Sequence, residues 1–316
     1  MSVSDPSFTV STTSSITSST TSGPVGARRR GAGVPLLALA GVLWGTGGLI
    51  GSLLAGVADL SPLAVAAYRL GLGGLLVAAV VATTGGTLPR GRAAWRRVGA
   101  VAVLAALFQA CYFTAVTLTS VGLATLVTIG TSPVVVLAVE AARGRAPRGT
   151  AVTVGLALLG LGLLIGLPAE SLDPVATLVG SAFAVLSGAG FAAITLLAAK
   201  PVDGLDDATS TAAAFVIGGS LLAAVAAVTT GLDFRPGIAS FGLLLALAAV
   251  PTALAYTAYF RGLRAAAGPG VGAVLALLEP LTGAVLAAVV LGERLGAAGI
   301  AGAALLGAAV VRAARS

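Results

Sequence analysis

Histidine is absent from this 316-residue chain, cysteine occurs once, and charged residues make up only 9%. Without histidine, the chain lacks the commonest general base and metal ligand of enzymes. A single cysteine, Cys111, excludes a disulfide within the chain. A soluble domain carries about 25% charged residues. Most of this surface must therefore face something other than water, and the 57% of hydrophobic residues indicates a lipid bilayer.

A phosphate-binding loop is also missing, since no glycine-rich run ends in Lys-Ser or Lys-Thr after a strand; ATP-driven transport by this chain alone is not expected. The formal net charge is +7, but the arginines stand in short clusters between apolar runs. This placement does not favour nucleic-acid binding and is typical of loops between membrane helices. No cofactor and no metal site are predicted.

Apolar stretches of about 20 residues, enough to cross about 30 Å of hydrocarbon, recur along the chain. They do not alternate with a period of two, as barrel strands would. The predicted transmembrane helices are 34–56, 62–82, 97–117, 121–141, 151–168, 175–198, 209–230, 238–259, 270–291 and 296–312. We therefore predict an all-α membrane protein with ten transmembrane helices.

Residues 1–30 form a Ser/Thr-rich segment with too few apolar residues to bury a core, and we predict a disordered cytoplasmic tail. Arg28, Arg29 and Arg30 then precede the first apolar run, as in a signal peptide. However, no small-residue cleavage site stands out and nine more apolar runs follow. We therefore interpret the first run as a membrane helix.

Basic residues fall almost entirely on one side of the predicted topology. Of the 18 Lys and Arg residues, fifteen lie in segments on the side of the N-terminus, two lie on the other side, and Arg69 lies within a span. Cytoplasmic loops of membrane proteins are enriched in Lys and Arg. We therefore predict a multi-pass protein of the plasma or inner membrane with both termini in the cytoplasm.

The chain matches itself when it is shifted by 147 residues. Tyr112-Phe113 then falls on Tyr259-Phe260, Pro133 on Pro280, and Trp44 on Phe191. Because each half has five helices, an odd number, the two halves must insert in opposite orientations. We predict inverted repeats over residues 31–170 and 171–316, a design in which secondary transporters place their sites near the membrane midplane.

Several short motifs resemble EamA-type members of the drug/metabolite transporter superfamily, over about residues 31–312. The resemblance implies a secondary transporter, often an exporter, of amino acids or other small metabolites. One departure is that the first half lacks a Gly-Glu pair after Pro133, which leaves Glu140 displaced as an equivalent. The motifs are Leu43-Trp44-Gly45, Tyr68-Arg69-Leu70, Ser132-Pro133, Leu278-Glu279-Pro280 and Leu291-Gly292-Glu293-Arg294-Leu295.

Charges inside membrane spans are costly, and they often mark functional sites. Arg69 is a candidate for binding a substrate carboxylate or phosphate, and Glu279 is a candidate for proton coupling or cation binding. The structural alternative is an ion pair between the two, or, for Arg69, a side chain that snorkels to the membrane surface. The repeat aligns Arg69 with Val216 and Glu279 with Ser132, so the symmetry is broken at both charges.

Amphipathic side chains in the apolar background are the remaining site candidates. We predict that Trp44, Gln109, Tyr112 and Tyr256 bind substrate in a central cavity, with interfacial anchoring as the alternative. This alternative suits Tyr259 best, because Tyr259 lies near a predicted cytoplasmic helix end.

Prolines stand at equivalent positions of the two halves. Pro133 and Pro280 are predicted to break their helices or to act as hinges. A packing kink is the structural alternative, since membrane helices tolerate proline.

The sequence therefore predicts a secondary-active exporter of small metabolites such as amino acids, working by alternating access and driven by protons or by the substrate gradient. We do not expect an enzyme, because no histidine or aspartate lies inside any predicted span. A flippase or exporter for lipid-linked or hydrophobic compounds is the first alternative, and a membrane-embedded enzyme or assembly factor is the second. A monomer and a homodimer both remain open.

Overall fold

A computed structural model of the protein describes residues 24–146, 149–166, 173–265, 268–290, 292 and 294–315. Within these ranges the chain forms helices, and its extended pairing is limited to an isolated bridge between Val202 and Leu205. Nine of the described helices are long and apolar enough to span a membrane, and α5 is shorter at 16 residues. The predicted all-α membrane fold is confirmed. The helices are α1 (Pro24–Ala58), α2 (Pro62–Thr83), α3 (Gly91–Leu118), α4 (Val121–Ala142), α5 (Thr150–Ile165), α6 (Pro174–Ala198), α7 (Asp207–Thr229), α8 (Ile238–Ala265), α9 (Pro269–Val290) and α10 (Ala297–Arg315).

Among the helix ends that differ from the sequence prediction, two have a local explanation. Helix α1 begins at Pro24, inside the segment that we predicted as a tail, while residues 1–23 of that segment lie outside the described residues. Proline is favoured in the first turn of a helix, where its missing N–H costs nothing. Helix α5 ends at Ile165, before the predicted residue 168, because Gly166 has a φ of 75° and terminates the helix.

Polar caps explain where several helices begin. The Ser61 hydroxyl accepts a hydrogen bond from the Ala64 N–H at 3.1 Å, and Asp173 accepts one from Ala176 at 2.7 Å. Asp206 caps α7 in the same way through the N–H of Thr209. Burial acts to raise the pKa of Asp206, but its hydrogen bonds from Thr209 and from backbone N–H groups outweigh burial, and the pKa is lowered.

Helix α8 contains a π-helical turn at Ala249–Leu254, which the sequence analysis did not predict. Pro251 lies in this turn and cannot donate a backbone hydrogen bond to Leu247. The Thr252 hydroxyl donates to the Leu247 carbonyl instead, at 2.9 Å. A proline and the threonine after it thus widen the helix without leaving this buried carbonyl unpaired.

The two equivalent prolines differ in their local structure. Helix α4 runs through Pro133 without interruption, so the predicted break is absent there. Packing of α4 against α5 and α6 supports the helix across the proline. Helix α9 is interrupted by a turn at Ala276 and Leu277. Pro280 cannot bond to the Ala276 carbonyl, and the Glu279 N–H donates to it at 3.0 Å.

Helix packing follows the symmetry of an inverted repeat. Helix α2 packs against its equivalent α7, and α5 packs against its equivalent α10. Helix α1 packs against α8 and α9, just as its equivalent α6 packs against α3 and α4. The first helix of each half therefore lies among the helices of the other half, and the two halves share one core.

Glycines allow backbone contact where a helix packs against its repeat equivalent. A Cβ on Gly74 of α2 would lie 2.6 Å from the backbone nitrogen of Val216 in α7. A Cβ on Gly160 of α5 would lie 2.6 Å from the backbone nitrogen of Leu306 in α10. Small residues at these crossings permit the close packing on which helix association in membranes depends.

Candidate functional site

A cavity of about 330 Å³ lies between the two halves. Its walls come mainly from α1, α2, α3 and α4, with contributions from α6, α8 and α9. The volume falls within the range of small-molecule pockets, which is about 300–1,000 Å³. The cavity is therefore large enough for a metabolite.

The mouth of the cavity lies where α1 ends and α2 begins, and where α3 ends and α4 begins. Ala55 and Pro62 line it at the first connection, and Val116 and Val121 line it at the second. Pro62 and Val121 are exposed. Because consecutive helices run antiparallel, both connections lie on the same side of the membrane, and the cavity opens to that side.

Aromatic rings close the cavity towards the opposite side. We call Trp44, Phe191, Phe215, Tyr256, Tyr259 and Phe260 the aromatic floor. The Trp44 ring centroid lies 5.0 Å from that of Tyr256, 4.8 Å from that of Tyr259 and 5.7 Å from that of Phe191. Trp44 and Phe191 are repeat equivalents, so they meet across the axis that relates the two halves.

Two opposite charges lie at the inner end of the cavity, above the floor. Arg69 comes from α2, and Glu279 follows the turn in α9. Both side chains are half-buried and line the cavity. The ion pairs within 4.0 Å that the described residues form are Arg235–Asp59 and Arg264–Asp207. Arg69 and Glu279 therefore do not form the direct ion pair that we considered, and Arg69 instead approaches the Tyr256 hydroxyl.

Unpartnered hydrogen-bond donors are concentrated around the cavity. In the described part of the chain, four buried side-chain N or O atoms have no hydrogen-bond partner, and three of them belong to cavity residues. They are Trp44 Nε1, Arg69 Nε and Ser132 Oγ. Buried polar groups in proteins are nearly always paired. These three groups therefore have unused hydrogen-bonding capacity beside the cavity.

All six predicted site residues with polar or charged side chains line the cavity, while the predicted prolines Pro133 and Pro280 do not. Tyr112 is held by a 2.9 Å hydrogen bond between its hydroxyl and that of Thr125, and Gln109 is buried. Their functional roles stay predictions. The six residues are Trp44, Arg69, Gln109, Tyr112, Tyr256 and Glu279.

Interfacial anchoring does not describe Tyr259. Its side chain is fully buried beneath Trp44, and its hydroxyl lies 2.9 Å from that of Thr195. The sequence analysis placed Tyr259 near a helix end, where aromatic residues often anchor. It could not account for the packing of α6 and α8 around the ring.

Sequence reasoning did not name Ser132 and Pro251 as site residues, yet both line the cavity. Ser132 is the repeat equivalent of Glu279, and this equivalence was a usable signal. The sequence signal at Pro251 was weaker. Its repeat equivalent is Leu104, and only prolines that occur at equivalent positions of both halves were considered.

The two halves differ at equivalent positions. Tyr112, Phe113 and Val116 of α3 are half-buried and line the cavity. Their equivalents in α8, Tyr259, Phe260 and Leu263, are exposed by only 0%, 4% and 2%. The same sequence pattern thus lines an open cavity in α3, on one side of the membrane, and is tightly packed in α8, on the other side.

Charged residues reinforce the shut side. Arg264 near the end of α8 pairs with Asp207 at the start of α7, with 2.5 Å between Nε and Oδ1. Arg97 of α3 donates to the carbonyls of Leu197 and Lys200 at the end of α6. We call Arg97, Asp207 and Arg264 the closed-side cluster, since it joins the ends of four helices opposite the mouth.

Comparison with known proteins agrees with this architecture. The model of the EamA-like transporter family matches residues 31–166 and again residues 178–313, which keeps the 147-residue register. The chain is 31% identical over 279 residues to YwfM, an uncharacterized transporter of Bacillus subtilis (strain 168), and the match covers 85% of this chain and 88% of that protein. A solved crystal structure with 17% sequence identity superposes with a TM-score of 0.78, covering 89% of this chain and 96% of the other, which shows the fold alone.

Proposed function

Because the chain belongs to the EamA-like transporter family, we propose that it is a secondary-active exporter of small zwitterionic metabolites, amino acids in particular. The proposal includes transport without chemical change of the substrate. It rests on one observation: the inner end of the cavity combines unpartnered donors with a single carboxylate.

The donors suit an anionic group. Trp44 Nε1 and Arg69 Nε can only donate hydrogen bonds, and the Ser132 hydroxyl can donate one. A substrate carboxylate accepts such bonds and gains from the positive charge of Arg69. The exposed part of Glu279 faces the same space and offers an acceptor for an ammonium group. Together these groups match the two charges of an amino acid.

Alternating access is supported by the difference between the two halves. An inverted repeat can exchange the conformations of its halves, which moves the opening from one side of the membrane to the other. In the exchanged state, Tyr259, Phe260 and Leu263 would line a cavity and their equivalents in α3 would pack together. The closed-side cluster would then separate.

We further propose that the open side is extracellular. The start of α1 and the end of α10 lie on the side of the aromatic floor, together with most of the described basic residues between the helices. Loops rich in Lys and Arg stay in the cytoplasm. In this proposal the protein lies in the cell membrane with its mouth outward. An exporter in this state has released its substrate and can accept a proton in exchange, for which Glu279 is the candidate carboxylate.

Substrate competition tests the zwitterion proposal. The full chain in proteoliposomes would be assayed for uptake of labelled L-leucine against unlabelled L-leucine, isopentylamine and N-acetyl-leucine. Isopentylamine lacks the carboxylate and N-acetyl-leucine lacks the ammonium group, while all three keep the isobutyl group. We expect each analogue to compete at least about tenfold more weakly than leucine, since a site built for hydrogen bonds rejects ligands that lack them. Equal competition by all three would refute the proposal and favour the export of hydrophobic compounds.

A further inference from the structure

Helix α1 presents glycines to the cavity, and they differ in what surrounds them. Gly47 is buried, and a Cβ there would lie 3.3 Å from Cβ of Pro251. Gly48 is exposed, and a Cβ there would meet nothing within 4 Å. At Gly51 the nearest atoms, in Leu247 and Val65, would lie 4.0 Å away. Gly47 therefore serves helix packing, whereas Gly48 and Gly51 leave open space in the cavity.

Gly48 stands one helical turn from Trp44 in the direction of the mouth, a distance of about 5.4 Å. Trp44 and Ser132, which are 5% and 3% exposed, carry unpartnered polar atoms at the inner end. The wall between there and the mouth includes Phe113 and Val116. Its polar side chains, Ser52, Tyr112 and Thr125, already have hydrogen-bond partners within the protein. A ligand whose charged groups are bound at the inner end must therefore extend its remaining part past Gly48.

We propose that Gly48, assisted by Gly51, sets the upper size of the substrate side chain and admits bulky apolar amino acids. This inference rests on the proposed function and adds the class of amino acid. The missing side chains at these two positions provide the space for the substrate. A Cβ added at Gly48 would meet no atom within 4 Å, so a side chain there would begin in that open space.

The helix supplies a matched control at Gly56, two turns further along. Gly56 is also exposed, a Cβ there would also meet nothing within 4 Å, and Gly56 does not line the cavity. Leucine and alanine are both strong helix formers. Substitution at either position therefore changes the same helix in the same way, and only the substitution at Gly48 enters the cavity.

The test measures dissociation constants of L-alanine and L-phenylalanine for the purified full chain and for Gly48→Ala, Gly48→Leu and Gly56→Leu. We expect the unchanged protein and Gly56→Leu to bind both probes. Gly48→Leu should weaken phenylalanine binding about tenfold or more, the effect of crowding an apolar pocket. Alanine binding should change less than about twofold, which is under 0.5 kcal/mol. Gly48→Ala should give a smaller change of the same kind.

The outcomes separate this inference from the proposed function. An unchanged protein that binds neither probe refutes the proposed function. If the unchanged protein binds both probes, an equal loss of both in Gly48→Leu, or no loss, refutes the size limit alone. If Gly48→Leu does not fold, Gly48→Ala decides: a selective loss of phenylalanine supports the inference, and unaltered selectivity overturns it.

Discussion

Arg69 is a charge in the cavity that the internal repeat does not duplicate, and we propose that it contributes to specificity. Its repeat equivalent is Val216, so the charge belongs to one half only. Arg69 Nε is buried without a hydrogen-bond partner, and the nearest carboxylate of the cavity does not pair with it. In the proposed function, the cost of keeping an unpaired donor there is recovered when a substrate carboxylate binds.

Replacing Arg69 should weaken carboxylate ligands selectively. In Arg69→Ala we expect binding of L-leucine to fall at least about tenfold, since a hydrogen bond to a charged group contributes about 1.5–3 kcal/mol. Binding of isopentylamine, which has no carboxylate, should fall less than about threefold, or under 0.7 kcal/mol. Arg69→Lys keeps the charge and should retain part of the affinity. An equal loss for both ligands would contradict the assignment.

Glu279 is the residue that we propose for proton coupling. In Glu279→Gln the side chain can no longer gain or lose a proton, so proton-driven accumulation of substrate in proteoliposomes should be abolished. Exchange of labelled for unlabelled substrate, which needs no proton gradient, should persist at higher substrate concentration, because the amide keeps an acceptor oxygen but loses the negative charge that faces the ammonium group. A variant with unchanged accumulation and an unchanged pH profile would remove Glu279 from the coupling role.

At the scale of helices, the closed-side cluster is the feature that distinguishes one end of the molecule from the other. The side chains of Asp207 and Arg264 are 18% and 25% exposed, whereas those of the Arg235–Asp59 pair near the mouth are 66–75% exposed. Exposed pairs contribute little, because water screens them. Breaking the more buried Asp207–Arg264 pair should therefore shift the equilibrium between the conformation that is open at the mouth and the one that is open at the opposite side.

Cysteine accessibility measures this shift. In a Cys111→Ser background, Leu263→Cys lies beneath the floor and should react slowly with a water-soluble thiol reagent. Adding Asp207→Asn should increase its labelling rate at least about threefold, for a bias of about 0.7 kcal/mol towards opening. Arg235→Gln, the control at the exposed pair, should leave the rate unchanged. An unchanged rate in Asp207→Asn would exclude the cluster from holding this side shut.

Substitutions at two glycines of α5 test how closely α5 and α10 pack where they cross. Gly160→Leu should lower thermal stability, because its side chain would be forced against the backbone of Leu306, and overpacking costs about 1–3 kcal/mol. Gly162→Leu is the control, since a Cβ there meets nothing within 4 Å. A thermal unfolding assay in detergent should separate the two variants. Equal melting temperatures would contradict the close crossing.

At the scale of the whole molecule, apolar periodicity and the 147-residue repeat predicted the fold. The amphipathic side chains of Trp44, Gln109, Tyr112 and Tyr256 were predicted to lie around one cavity because they stand out from an apolar background, and all four line it. The continuity of α4 through Pro133 and the π-helical turn at Pro251 were beyond such reasoning, since they depend on local packing and on how individual carbonyls find donors. The open and shut states of α3 and α8 were equally beyond it, because both helices carry the same Tyr-Phe pattern.

Alternating access by exchange of the two halves is the central claim, and paired distance measurements test it most directly. Spin labels at Val57 and Val121 would report on the mouth, and labels at Asp203 and Arg261 on the shut side, in Cys111→Ser protein in lipid. Saturating L-leucine should shorten distances in the first pair and lengthen them in the second, with the two populations changing together. Distances that stay fixed, or that change in the same direction at both ends, would contradict the account.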